Sequence, residues 1–166
     1  MGMNKPKHTT DGEPPVDDHW DAPAPKPINP KTGQHGAYWV LPEEERAKGF
    51  VRPVRRSYRH VGPPPPASLR DLTPEELERH SRWGYIKFEA YGEDRAPLTG
   101  RFWTQTGLDS IGGCGSITTM SVDLAETFAR DPGYYGGTFC CNCGDHLPVG
   151  EKGEFAWDGT SERVGT

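Results

Sequence analysis

Aliphatic side chains are scarce in this chain: hydrophobic residues make up 33% of its 166 positions, and the mean hydropathy is -0.80. A large apolar core is therefore excluded. No apolar run approaches the roughly 20 residues that cross a bilayer. The opening Met1-Gly2-Met3-Asn4-Lys5-Pro6-Lys7 leads into polar residues instead of a secretory apolar stretch, so a soluble, intracellular product is expected. A surplus of positive charge is also missing, since the net charge is -5, and nothing global marks a nucleic-acid binder.

Long helices and strands are curtailed as well, because 21 glycines and 17 prolines interrupt them. What is present is aromatic, with five Trp, six Tyr and six Phe, which argues against a wholly disordered chain. The expected fold is a small α+β domain: short antiparallel strands with two or three short helices around a zinc-ribbon-like knuckle, plus a long extended N-terminal arm.

Three of the four cysteines fall in Gly136-Gly137-Thr138-Phe139-Cys140-Cys141-Asn142-Cys143-Gly144-Asp145-His146-Leu147-Pro148. Cys140 and Cys143 form C-x-x-C, with Gly144 placed where a knuckle turns back on itself. Cys114, in Gly112-Gly113-Cys114-Gly115, is the expected third ligand from a second glycine-rich turn. A full ribbon needs another cysteine at position 111, which is Ile111. His146, Cys141 or a residue elsewhere must then supply the fourth ligand, and His146 is favoured because its neutral nitrogen completes a Cys3His set for a structural Zn2+. Adjacent cysteines point in different directions, so Cys141 is expected to be a spectator. Buried cysteines without metal and a redox C-x-x-C are the competing readings, and no thioredoxin-like pattern surrounds the pair.

Taken in order, residues 1–35 form a proline-rich arm in which Trp20 is expected to dock on a partner. Residues 36–66 hold a short strand at 37–41, a helix from Pro42 to Gly49, and a basic-aromatic extended segment with a polyproline spacer at 63–66. That segment sets Arg52, Arg55, Arg56 and Arg59 beside Tyr58. These residues can contact other subunits or, in the alternative reading, phosphates and bases, while pairing with acidic residues is the plainer expectation.

Residues 67–166 form the metal-stabilised domain. It opens with Thr73-Pro74-Glu75-Glu76, a capping box flanked by the Leu72/Leu77 staple, and the helix is expected to run to about Trp83 with Leu77 and Trp83 as anchors. Strands are expected at 85–91, 101–105, 116–120 and 154–157, and a helix at 122–130 behind Ser121.

Asp145-His146-Leu147-Pro148 looks like the core of HNH nucleases, yet proline arrives one residue early and no asparagine and histidine pair follows. The zinc deaminase signature is absent, since no His-x-Glu precedes the C-x-x-C. Together, Gly49-Phe50-Val51-Arg52-Pro53, Gly100-Arg101-Phe102-Trp103, Cys114-Gly115 with Thr118-Thr119-Met120, and Leu124 to Pro132 through Phe139-Cys140 resemble small zinc-knuckle proteins encoded by tailed bacteriophages. The resemblance brings no activity with it. It implies a phage product made in the host bacterial cytoplasm and carried on the virion, without catalytic residues, whose partners are other phage structural proteins or its own copies. The alternative is a nucleic-acid-acting protein, a nuclease or a regulator.

Overall fold

In the computed structural model of the chain, residues 7–16, 22–91 and 100–166 are described. Trp20 lies outside them. The protein is a small α+β structure whose strand pairs, among the described residues, are antiparallel. It divides into two compact units, one made of the residues up to Val61 together with Cys114–Thr166, the other of Gly62–Gly113.

The first unit is built around strand β3 (Ser57–His60), which lies between β10 (Phe155–Trp157) and β7 (Ile117–Thr119). Strand pairing between residues this far apart in sequence leaves no local signal; the compact units part at 61/62 and 113/114. Along β3, Tyr58 and His60 are buried while Arg59 is exposed, the period-two pattern of a half-buried strand.

Behind this sheet packs helix α4 (Val122–Arg130), which buries Ala125, Phe128 and Ala129. Tyr58, Met120, Phe128, Cys140, Phe155, Trp157 and Val164 close the core with these residues, Tyr58 meeting Phe155 edge-on at 5.2 Å and Phe128 meeting Trp157 at 5.8 Å. Aromatic burial of this kind compensates for few aliphatic side chains.

Thr127 is fully buried; its hydroxyl donates to the Asp123 carbonyl and accepts the Leu41 amide, which ties the chain ahead of helix α1 (Glu43–Arg46) to α4. Arg46 and Glu126 pair across the same junction. The described part of residues 1–35 is not free: β1 (His8–Thr9) pairs with β2 (Trp39–Val40), and Ala24 and Pro25 are buried. One more hairpin, β8 (Gly137–Cys140) with β9 (Asp145–Pro148), carries the cysteine-rich turn.

The second unit is a three-stranded sheet in the order β4 (Leu69–Asp71), β5 (Tyr85–Ala90), β6 (Gly100–Thr104). Helix α2 (Pro74–His80) starts with the full capping box, Thr73 accepting from the Glu76 amide and Glu76 from the Thr73 amide. It stops earlier than expected: a 3-10 turn covers Ser81–Trp83 before Gly84. Leu77 and Trp83 are exposed, so they are not its anchors; His80 is, with its ring 4.5 Å from Phe102.

A helix that the sequence reading did not place, α3 (Gln105–Asp109), follows β6 directly with Thr104 as its N-cap. The unit's two ends meet in backbone contact. A Cβ added to Gly62 would lie 2.5 Å from the Gly112 nitrogen, so only glycine lets them approach.

Candidate metal centre

The β8–β9 hairpin brings the C-x-x-C into one tight turn. Cys140, fully buried, ends β8; the Gly144 amide then returns to the Cys140 carbonyl at 2.9 Å, and Gly144 takes the left-handed conformation that this reversal needs. The Cys143 amide points at the Cys140 sulfur, 3.5 Å away, as a donor to a thiolate would.

Cys114 arrives from the loop before β7, and its Sγ stands 3.5 Å from that of Cys140. The fourth group is His60, at the end of β3. Its Nδ1 lies 3.2 Å from Cys114 Sγ, 3.5 Å from Cys143 Sγ and 3.9 Å from Cys140 Sγ. All four candidate ligand atoms fall within 4.8 Å of one another.

These spacings test the fit. A tetrahedral ion with bonds of about 2.3 Å to sulfur and about 2.0 Å to nitrogen has ligand-to-ligand edges of about 3.5 to 3.8 Å. The observed separations bracket that range, so the four residues can hold a metal ion with little movement.

Electrostatics point the same way. Burial opposes ionisation of Cys114, but hydrogen bonding, led by the Ser116 backbone, outweighs it and holds this thiol down at about 6. Cys143 moves in the opposite direction, pushed up to about 12 by burial, by hydrogen bonds with Cys140 and Cys114, and by repulsion from both. Cys114 is thus held toward the thiolate and Cys143 toward the thiol, and a cation between them would let both ionise.

His146 is not in this group. Its Nε2 is 2.9 Å from the Tyr38 hydroxyl, its ring lies 5.1 Å from that of His35, and burial lowers its pKa. The hairpin register explains this placement: His146 stands opposite Phe139 in β9, past the turn, with its side chain against the segment 33–38. Gly33 completes that contact, since a Cβ there would sit 2.2 Å from the Gly144 carbonyl oxygen. Cys141 also stays outside the group, as expected, with its thiol directed at the Ile117 carbonyl, but it is exposed and not buried. A cavity of about 1010 Å³ is lined by Tyr38, Trp39 and His146 among others but by none of the four clustered residues, so it is separate from the candidate metal site.

His60 was missed because it sits in a basic segment 54 residues from Cys114. One signal was available: the alternation that buries Tyr58 must bury His60 too, and a buried imidazole needs a partner.

The expected partner surface of that segment is largely engaged within the chain. Arg52 donates to the Thr166 carbonyl and Arg56 to that of Met120. Arg55 pairs with Glu162 and covers Trp157, and Arg59 reaches the Gly115 carbonyl and Asp158. Tyr58 is a core residue whose hydroxyl donates to the Phe139 carbonyl at 2.5 Å. Compared with family models, curated proteins and solved structures, the chain matches none.

Proposed function

We propose that the chain is a non-enzymatic structural or interaction protein stabilised by one structural zinc on His60, Cys114, Cys140 and Cys143. The observation that carries this reading is the convergence of three thiols and one imidazole nitrogen on a single point. That donor set suits zinc and disfavours calcium and magnesium, which take oxygen. Four protein ligands fill a tetrahedron and leave no position for a reacting water, which supports a structural over a catalytic ion.

The zinc crosslinks β3, the loop before β7 and the β8–β9 turn, in a chain whose core is too small to hold them by packing alone. The zinc-knuckle reading of the hairpin rests on the Cys143 amide directed at Cys140. Intrachain engagement of Arg52, Arg55, Arg56 and Arg59 speaks against a phosphate-gripping role for this segment. The motif resemblance supports a place on a tailed-phage virion, as a cement, decoration or minor structural protein contacting other virion proteins or its own copies, after assembly in the host cytoplasm.

Mass spectrometry of purified virions together with elemental analysis of the isolated protein tests this function. The chain in the particles and one zinc per chain are expected. Absence from particles overturns the virion role, and salt-sensitive DNA or RNA binding would favour the nuclease or regulator alternative.

A further inference from the structure

Glu154 lies outside the four clustered residues yet faces them through His60. Its Oε1 is 3.3 Å from His60 Nε2, and the two side chains are 15% and 7% exposed. On the other side of the ring, the Cys114 amide donates to Nδ1 at 3.2 Å. An Nδ1 that accepts a hydrogen bond carries no proton, so in the neutral ring the proton sits on Nε2, where Glu154 accepts it. Both neighbours therefore select one tautomer, the one whose bare nitrogen points at the three thiols.

The ring is also held from its face. Phe155, fully buried beside Glu154, packs against it with centroids 5.2 Å apart. Glu154 is itself fixed by its backbone, its amide donating to the Pro148 carbonyl and its carbonyl accepting from the Val61 amide.

We propose that Glu154 is the positioning residue of the metal centre: its carboxylate fixes His60 in the Nε2-protonated tautomer and directs Nδ1 to the ion. The inference rests on the zinc reading above. It adds that affinity depends on a carboxylate that touches no metal, and that His60 binds through Nδ1.

The test measures zinc affinity of the full chain, by competition with a chelating dye, for the wild type and for Glu154→Ala, Glu154→Gln and Glu151→Ala. Long-range 15N spectra report the His60 tautomer in parallel. Glu154→Ala is expected to weaken zinc binding about 10- to 100-fold, with a smaller loss for Glu154→Gln, which keeps a hydrogen-bonding group but not the charge. The exposed Glu151→Ala is expected to change nothing.

If Glu154→Ala does not fold with zinc, Glu154→Gln decides through its affinity and the tautomer signal. Wild-type zinc binding with unchanged affinity in the Glu154 variants, or coordination of His60 through Nε2, overturns the inference alone. A wild type that takes up no zinc overturns the proposed function and this inference with it.

Discussion

At the scale of single residues, two histidines separate a candidate ligand from a structural contact. His60 Nδ1 stands among three sulfurs, whereas His146 Nε2 meets the Tyr38 hydroxyl. Replacing His60 with Ala is expected to abolish tight zinc binding, and replacing His146 with Ala to preserve it, as read by zinc content after gel filtration. The cysteines divide in the same way: Cys143→Ser is expected to lose the metal and the folded C-terminal region, while Cys141→Ser keeps both.

His146 has its own signature in pH. Burial lowers its pKa below the usual 6.5, so the folded state favours the neutral ring. The unfolded chain takes up the proton first as pH falls; the stability from this group is complete above 6.5 and is lost progressively below it. Denaturation midpoints of the wild type and of His146→Gln, compared between about pH 7.5 and about pH 5.5, should converge on acidification. Loss of metal by thiolate protonation acts on both proteins and leaves that convergence readable. A constant difference would show that the ring does not titrate against folding.

At the scale of elements, local chemistry was legible and remote pairing was not. Thr73-Pro74-Glu75-Glu76 announced the start of α2, and the structure realises both hydrogen bonds of the box. Arg70 first, and then the Thr73 amide, hold the Glu76 carboxyl down at about 2. Thr73→Ala is expected to cost about 1 kcal/mol in chemical denaturation of the full chain, and an unchanged midpoint would show that the cap adds nothing.

The strands at 85–90 and 100–104 and the helix at 122–130 were equally readable, from alternation and from helical spacing. The end of α2 was not, because a 3-10 turn at Ser81–Trp83 keeps the same side-chain order. Trp83 and Leu77 looked like anchors only because they are apolar; the helix docks through His80 on Phe102.

The candidate site follows the same rule. Cys114, Cys140 and Cys143 were legible because glycine-rich turns mark themselves locally. His60 was not, because β3 reaches the cluster only by pairing with β7 and β10. His146 was favoured on proximity in sequence, but the antiparallel hairpin carries this residue, three positions past Cys143, to a different neighbour.

For the whole molecule, two of the four clustered residues also stand where the chain leaves and re-enters the first unit. His60 precedes the second unit and Cys114 follows it. One ion would thereby close a long loop in the chain while crosslinking a small aromatic core, which restricts the unfolded state as much as it strengthens the folded one. That crosslink depends on one coordination sphere. X-ray absorption at the zinc edge of the purified full-length protein examines it directly. Three sulfurs at about 2.3 Å and one nitrogen at about 2.0 Å around one zinc per chain are the expected result. Two sulfurs with two nitrogens, a shell containing oxygen, or no zinc at all would contradict it.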